Sequence, residues 1–259
     1  MPHLIFAPVS RPEPPGPDRS AIEAQLAVFA REVGSLWAAE RTRSRELHRA
    51  VTSLEETYVA TMRSLAQVVE EKDRTTAGHL GRTQRYGLAL AGRVDPALAG
   101  RPDVAYGFYL HDIGKVGVPE HVLGKPGPLD EDEWTLMREH PAIGARIIEP
   151  IRFLTGAMEI VRSHHERWDG GGYPDGLAGE QIPLTARIFA LADSFDAMTS
   201  DRPYRRAMPV EAALEEIRRG LGTQFDPHVA AEFLTMAATG EFMTVSPDPV
   251  LPRPLAEAS

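Results

Sequence analysis

Apolar residues along this chain recur at helical spacing, and no segment of useful length shows the two-residue alternation of a strand. From Ser20 to about Asp73 there is neither proline nor a pair of glycines. Ile22, Leu26, Phe29, Val33 and Leu36 step by four and three, as a coiled-coil seam does. The polar run ERTRSRE interrupts the stripe. Leu47, Val51, Leu54, Tyr58 and then Leu65 resume it, with one extra step of four that reads as a stutter. An amphipathic helix lying on its own domain is one reading. A dimerisation stalk is favoured, because so long a stripe needs more partner surface than one flank offers.

Beyond Asp73 the pattern changes to short helices between Gly/Pro loops. Thr75 or Thr76 is placed to cap a helix running through His79 to about Arg93. DVAYGFYLHDIG reads as a mostly apolar helix ending at Gly114. Asp130 with Glu133 is spaced as a capping box, and Pro141 suits the first turn of the next helix. Further helices are expected at about 153–167, 184–200, 209–220 and 227–239. The fold class is all-α. A proline-rich, disordered arm is expected over 1–19, a helical stalk over 20–72, a globular domain over 73–245 and a flexible tail over 246–259.

Composition narrows the function. The 259 residues are 42% hydrophobic, enough for a sizeable core. A net charge of −9 argues against a duplex nucleic-acid surface, which needs a basic face, while leaving room for a small anion held by local arginines. The absence of cysteine excludes disulfides and thiolate metal sites. The opening MPHLIFAPVSRPEPPGP lacks the basic start of a signal peptide, and no apolar run reaches the roughly 20 residues of a membrane span, so a cytoplasmic location without membrane contact is expected.

Nine histidines stand out. His79, His111, His140, His164 and His165 all fall at or near expected helix ends, and Asp112 follows His111 directly. Asp193 lies in LTARIFALADSFDAM beside a buried stripe of Leu184, Ile188, Leu191, Phe195 and Met198. A carboxylate so close to apolar surface needs a cationic partner. Neighbouring residues on a helix point about 100° apart, so His164 and His165 can reach one ion only from a frayed helix end, which Gly170-Gly171-Gly172 supplies. His3, His48, His121 and His228 carry no such pattern, although His121 follows the HDIGK segment closely.

HDIGK at 111–115, HHERWDGGGYPDG at 164–176, ADSFDAMTSDRPYR at 192–205 and GTQFDP at 222–227 closely resemble the HD-GYP group of HD-domain phosphohydrolases. The resemblance runs from about Asp73 to Pro227. It implies an HD-type helical bundle and a site for two divalent metal ions, with His79, His111, Asp112 and Asp193 around one ion. Asp112 bridges to a second ion held by His140, His164 and His165. The nitrogen and oxygen donors of this set suit iron or manganese. Some members hold a third metal through a glutamate four residues before the first histidine; Thr75 stands at that position here.

The implied reaction is hydrolysis of cyclic di-GMP to the linear dinucleotide and on to GMP, by a water activated between the two ions. Asp112 and Lys115 are then the catalytic pair. Lys115 is placed to meet a phosphate oxygen, or is a solvated loop lysine. Arg202 and Arg205 are placed to grip phosphate, or pair with Asp201 or Glu211. Gly172, Tyr173 and Pro174 line the expected nucleotide pocket, and Asp196 either orients a metal ligand or pairs locally. Two rivals stay open: a nucleotide-binding adaptor that signals to a partner protein with little hydrolysis, and the same chemistry on another cyclic dinucleotide such as cyclic GMP-AMP. A homodimer through the N-terminal helix is expected in either case.

Overall fold

The structure is a computed structural model describing residues 19–73, 78–98, 100–201, 206–241 and 251–252. Thr75, Thr76, Arg202, Arg205, the arm up to residue 18 and most of the tail lie outside the described residues. Ten α-helices are found among the described residues, with no β-strand. They are α1 (Arg19–Asp73), α2 (His79–Val94), α3 (Pro102–Leu110), α4 (Glu120–Leu123), α5 (Glu131–Met137), α6 (His140–Ile148), α7 (Ala157–Ser163), α8 (Leu184–Thr199), α9 (Val210–Arg219) and α10 (Pro227–Ala238). No described helix is long and apolar enough to cross a membrane.

Contacts divide the chain into two compact units, residues 1–54 and 55–259. In the first, α1 leaves Ile22, Leu26, Phe29, Leu36 and Leu47 exposed. In the second, its last turns bury Met62, Ala66 and Val69 together with Leu80, Tyr109, Leu110 and Ile113. These three α1 positions follow the i, i+4, i+7 rule of a buried helix face. They lie off the Tyr58–Leu65 line that the seam pattern picks out, and Leu65 remains 44% exposed.

α2 packs on α8 and α3, and α7 packs on α3, α6 and α8. Phe108 of α3 stacks on Phe189 of α8, with ring centroids 4.9 Å apart, and Leu90, Ile160, Leu191, Phe195 and Phe233 close the core around them. Buried side chains of this size contribute roughly 1.5–3 kcal/mol each, which holds the helices that carry the candidate site. In the expected tail, Leu251 packs against the second cluster, and the Tyr106 hydroxyl donates to the Pro252 carbonyl at 3.0 Å.

Two helix boundaries differ from the sequence pattern. The α3 helix ends at Leu110, and Ile113–Gly117 forms a 3-10 turn instead of continuing to Gly114. The helix expected from 153 to 167 is a 3-10 turn at Arg152–Leu154 followed by α7, which stops at Ser163. In both places tight turns release the chain just where adjacent polar side chains must point in different directions. The start of α2 differs as well: its cap is Gly78, in the left-handed region at φ 81° and without a side-chain hydrogen bond, where Thr75 or Thr76 was expected, and the short α4 stands in the Gly/Pro loop after Gly114. At α5 and α6 local chemistry is as expected. Asp130 and Glu133 form a reciprocal capping box at the start of α5, with both bonds at 2.9 Å, and α6 opens on His140-Pro141.

Candidate metal centre

His111 caps the end of α3 and Asp112 opens the 3-10 turn. This turn lies directly on the start of α6 because Gly114 has no side chain. A Cβ there would sit 1.8 Å from the His140 carbonyl oxygen and 2.5 Å from the Gly144 nitrogen. The close approach brings Asp112 Oδ1 to 3.2 Å from His140 Nε2. His164 caps α7 with His165 directly after it, His79 begins α2, and Asp193 comes from the middle of α8.

Five imidazoles and two carboxylates thus converge from α2, α3, α6, α7 and α8. Donor atoms of Asp112, His140, His164 and His165 lie within 4.8 Å of one another, as do those of His79, His111 and Asp193. Asp112 faces both groups. Its Oδ2 lies 3.1 Å from His111 Nε2, while its Oδ1 faces His140 and lies 3.8 Å from His164 Nε2.

The protonation pattern shows what the groups are suited to hold. His111, His140 and His164 each turn Nδ1 towards a backbone carbonyl three residues earlier, at 3.0, 2.7 and 2.9 Å. A carbonyl only accepts, so the proton resides on Nδ1, and each Nε2 presents a lone pair to the interior. His140 Nε2 and His164 Nε2 therefore face each other at 3.4 Å with no hydrogen between them. His111 Nε2 and Asp112 Oδ1 are buried and make no hydrogen bond. Convergent lone pairs with orphaned buried acceptors repel one another unless a cation lies among them. The residues present fit divalent metal ions with nitrogen and oxygen ligands.

Electrostatics agree for Asp112, His164 and His165, whereas His111 is drawn by the Asp112 carboxylate towards its protonated form, a charge that a cation beside Asp112 would displace. Burial opposes ionisation of Asp112, but the Lys115 ammonium and His111 outweigh it and hold its carboxyl well below the usual range. Burial disfavours charge on His111 as well, yet Asp112 overrides it and raises that pKa. Burial lowers His164, and lowers His165 further with repulsion from His164 and His140, keeping both rings neutral and able to act as ligands.

The supporting groups lie one layer out. His79 Nδ1 donates to Asp196 Oδ2 at 2.8 Å, and Arg82 donates to the same carboxylate from Nε at 2.6 Å and Nη2 at 3.2 Å. Asp196 is 1% exposed, so this pairing satisfies a charge that water cannot reach. Lys115 Nζ sits 2.7 Å from Asp112 Oδ2. Its turn is held in place by Lys72 of α1, which donates to the carbonyls of Lys115, Val116 and Val118 at 3.4, 3.0 and 2.8 Å.

Glu166, next to the histidine pair, is buried and accepts the backbone N–H groups of Asp175, Gly176 and Leu177 at 2.7, 3.1 and 3.0 Å. It thereby closes the glycine loop. The Tyr173 ring stacks on His165 with centroids 4.8 Å apart, and Pro174 follows through a cis peptide bond. Burial, with the charge of Asp112, raises the Tyr173 phenol. Gly172 serves the loop itself. The side where its Cβ would lie is 2.4 Å from the Arg167 nitrogen and 2.5 Å from the Glu166 Cα, so it lets the loop fold back on the chain.

All seven residues that the resemblance assigned to metal are thus brought together, along with Lys115 and Tyr173. His121, His48 and His228 are exposed on α4, α1 and α10 and belong to neither donor group. Arg82, Glu166 and Lys72 were not legible as site residues. A signal existed for two of them: Arg82 lies one helical turn after His79, and Glu166 stands before a loop whose N–H groups need an acceptor.

The HD domain model matches residues 63–229. A probable cyclic di-GMP phosphodiesterase of Vibrio cholerae is 42% identical over 205 residues, covering 73% of this chain and 46% of that protein. A 3'3'-cGAMP-specific phosphodiesterase 2 of the same organism is 37% identical over 179 residues, covering 68% of this chain and 34% of its own length. The chain therefore spans less than half the length of these two relatives. The crystal structure of a cyclic GMP-AMP specific phosphodiesterase in V. cholerae superposes with a TM-score of 0.56 at 21% identity, covering 72% of this chain and 50% of that one, which shows a shared fold. With HDIGK and HHERWDGGGYPDG placed on that fold, the chain belongs to the HD-domain family, in its HD-GYP group.

Proposed function

We propose that this chain hydrolyses a phosphodiester bond of cyclic di-GMP, giving the linear dinucleotide and, after a second cut, GMP. The observation that carries the proposal is the pair of donor groups with Asp112 between them and their Nε2 lone pairs directed inward. His79, His111 and Asp193 would hold one divalent ion, His140, His164 and His165 the other, and Asp112 both; iron or manganese suits these donors. Ions bound there would polarise the phosphoryl oxygens and lower the pKa of a water between them.

The chain's own groups do the rest. Asp112, kept ionised by Lys115, orients the reacting centre. Lys115 is placed at its edge to meet a phosphoryl oxygen as charge builds there. Asp196 and Arg82 fix the His79 ring so that its Nε2 cannot swing away. Tyr173 and Pro174, held by the Glu166-closed loop, offer an apolar wall beside His165 for a base or ribose, next to Gly172. Arg202 and Arg205 are assigned to phosphate on sequence position alone.

Incubation of metal-replete protein with cyclic di-GMP under anaerobic conditions, followed by nucleotide separation, tests the proposal. Linear product is expected, and its absence with both iron and manganese overturns it. Tight binding without product, unchanged in Asp112→Ala, would favour the adaptor. A second substrate is supported by the relative named for 3'3'-cGAMP; a larger kcat/KM for cyclic GMP-AMP than for cyclic di-GMP would move the assignment there.

The exposed stripe from Ile22 to Leu47 supports pairing of two copies through α1. Light scattering should give a dimer that removal of residues 1–54 weakens, and a full-length monomer at high concentration overturns the pairing. The same helix is proposed as the route to a signalling partner.

A further inference from the structure

Tyr173 has a second neighbour whose arrangement is unusual for a surface residue. Arg138, the cap residue of α5, places its guanidinium carbon 5.7 Å from the Tyr173 ring centroid and 5.7 Å from that of Trp134. Trp134 and Arg138 are four residues apart, so they share one face of the helix end. Trp134 is 43% exposed, an open indole with a cation beside it. Tyr173 in turn stacks on His165 and lies edge-on to His140 at 6.4 Å. An unbroken line of contacts therefore runs from Arg138 through one aromatic ring to the candidate metal ligands.

The second observation concerns what Arg138 does not touch. Arg162, Arg167 and Arg187 are each committed to a carboxylate, Asp175, Asp169 and Asp226, at 2.7, 2.6 and 2.7 Å. Among the described residues no carboxylate lies within ion-pair distance of Arg138. Contacts with aromatic faces leave the in-plane N–H edge of a guanidinium available, and that edge matches two phosphate oxygens.

Resting on the reading above, we propose that Arg138, steadied by Trp134 and Tyr173, grips the phosphodiester of the cyclic dinucleotide that is not being cut. A cyclic dinucleotide carries two phosphodiesters in one macrocycle, so when one occupies the centre the other must sit a short distance away. Arg138 lies one aromatic ring beyond the metal ligands and carries an anion-binding edge. The site thereby distinguishes a substrate with two linked phosphates from one with a single phosphodiester.

The test compares cyclic di-GMP with bis(p-nitrophenyl) phosphate, which has a single phosphodiester. In Arg138→Ala the preference for the cyclic dinucleotide, as a ratio of kcat/KM values, should fall about tenfold to a hundredfold, as loss of a charge-assisted contact predicts. The loss should appear mainly in KM. Arg138→Lys, which keeps the charge without the planar fork, should recover only a small part. An unchanged ratio in Arg138→Ala overturns the proposal, as does full recovery with lysine. Thermal unfolding of both variants should match the parent, because the residue is exposed; a ratio that falls only in step with lost stability also counts against the clamp. A parent protein inert towards cyclic di-GMP but active on bis(p-nitrophenyl) phosphate overturns the substrate reading itself, and the clamp with it.

Discussion

Glu166 offers the most direct check on how the loop beside the histidine pair is held. Its carboxylate receives three backbone N–H groups, two on Oε1 and one on Oε2. Hydrogen bonds to a charged acceptor contribute roughly 1.5–3 kcal/mol each, but Asp175 and Gly176 are exposed, so water can replace part of what their amides lose. Glu166→Ala should therefore destabilise by about 3 kcal/mol, below the sum for three dry bonds. In Glu166→Gln the amide oxygen can keep the Oε1 pair, while its NH2 opposes the Leu177 N–H, and about 1–2 kcal/mol should be lost. At roughly 2–4 °C per kcal/mol for a domain of this size, melting should drop by about 6–12 °C in the alanine variant and by about one third to two thirds of that in the glutamine variant. Urea unfolding with a shared slope gives the free energies. An alanine variant within about 0.5 kcal/mol of the parent, or a glutamine variant as damaged as alanine, would refute the acceptor-counting argument.

Other outcomes follow from the same geometry. Gly114→Ala must push its Cβ against backbone of His140 and Gly144, so a loss of at least about 3 kcal/mol in urea unfolding is expected, and parent-like stability would contradict the close approach. Asp196→Asn removes the charge that pairs with Arg82 and orients His79; Mn2+ affinity in a chelator competition should fall about 10–100-fold, and no change would deny Asp196 that task. Lys72→Met frees the carbonyls of Lys115, Val116 and Val118, so amide exchange across 115–118 should quicken about tenfold, with Lys72→Arg intermediate; unaltered exchange would count against the tether. Asp169 is held at about 2, below its ordinary 3.8, by the Arg167 guanidinium and then the Gly171 N–H. Its folded pKa is depressed, so its contribution is present above the ordinary value and disappears as pH falls through about 2. A carboxyl NMR titration should show that midpoint in the parent and a rise in Arg167→Gln, and a parent midpoint near 3.8 would refute it.

How much was legible beforehand depended on the range of the interactions. The helix pattern of the bundle, the Asp130–Glu133 capping box and the opening of α6 on Pro141 are decided within a few neighbouring residues, so spacing and side-chain type revealed them. The histidines and aspartates were conspicuous because imidazoles and carboxylates at helix ends serve packing poorly. Yet where α3 stops escaped the pattern, because Ile113 keeps helical spacing with Leu110 up to Gly114 and only the approach of α6 at Gly114 explains the turn.

Spacing and residue type alone yield an inventory: nine helical segments, without the short α4, a long apolar stripe and a set of donors suited to hard cations. Tertiary structure decided which of these meet. Asp196 reaches His79 across 117 positions, and Lys72 reaches Val118 across 46. Met62, Ala66 and Val69 became the anchoring face of α1 because of what lies opposite them, while seam residues such as Leu65 stayed exposed. Arg138 differs from Arg162 and Arg167 only in having aromatic rings beside it in place of a carboxylate. Residue type sets what a side chain can bond, but its partner is chosen by packing between distant segments, and one chain's local spacing carries no record of that choice.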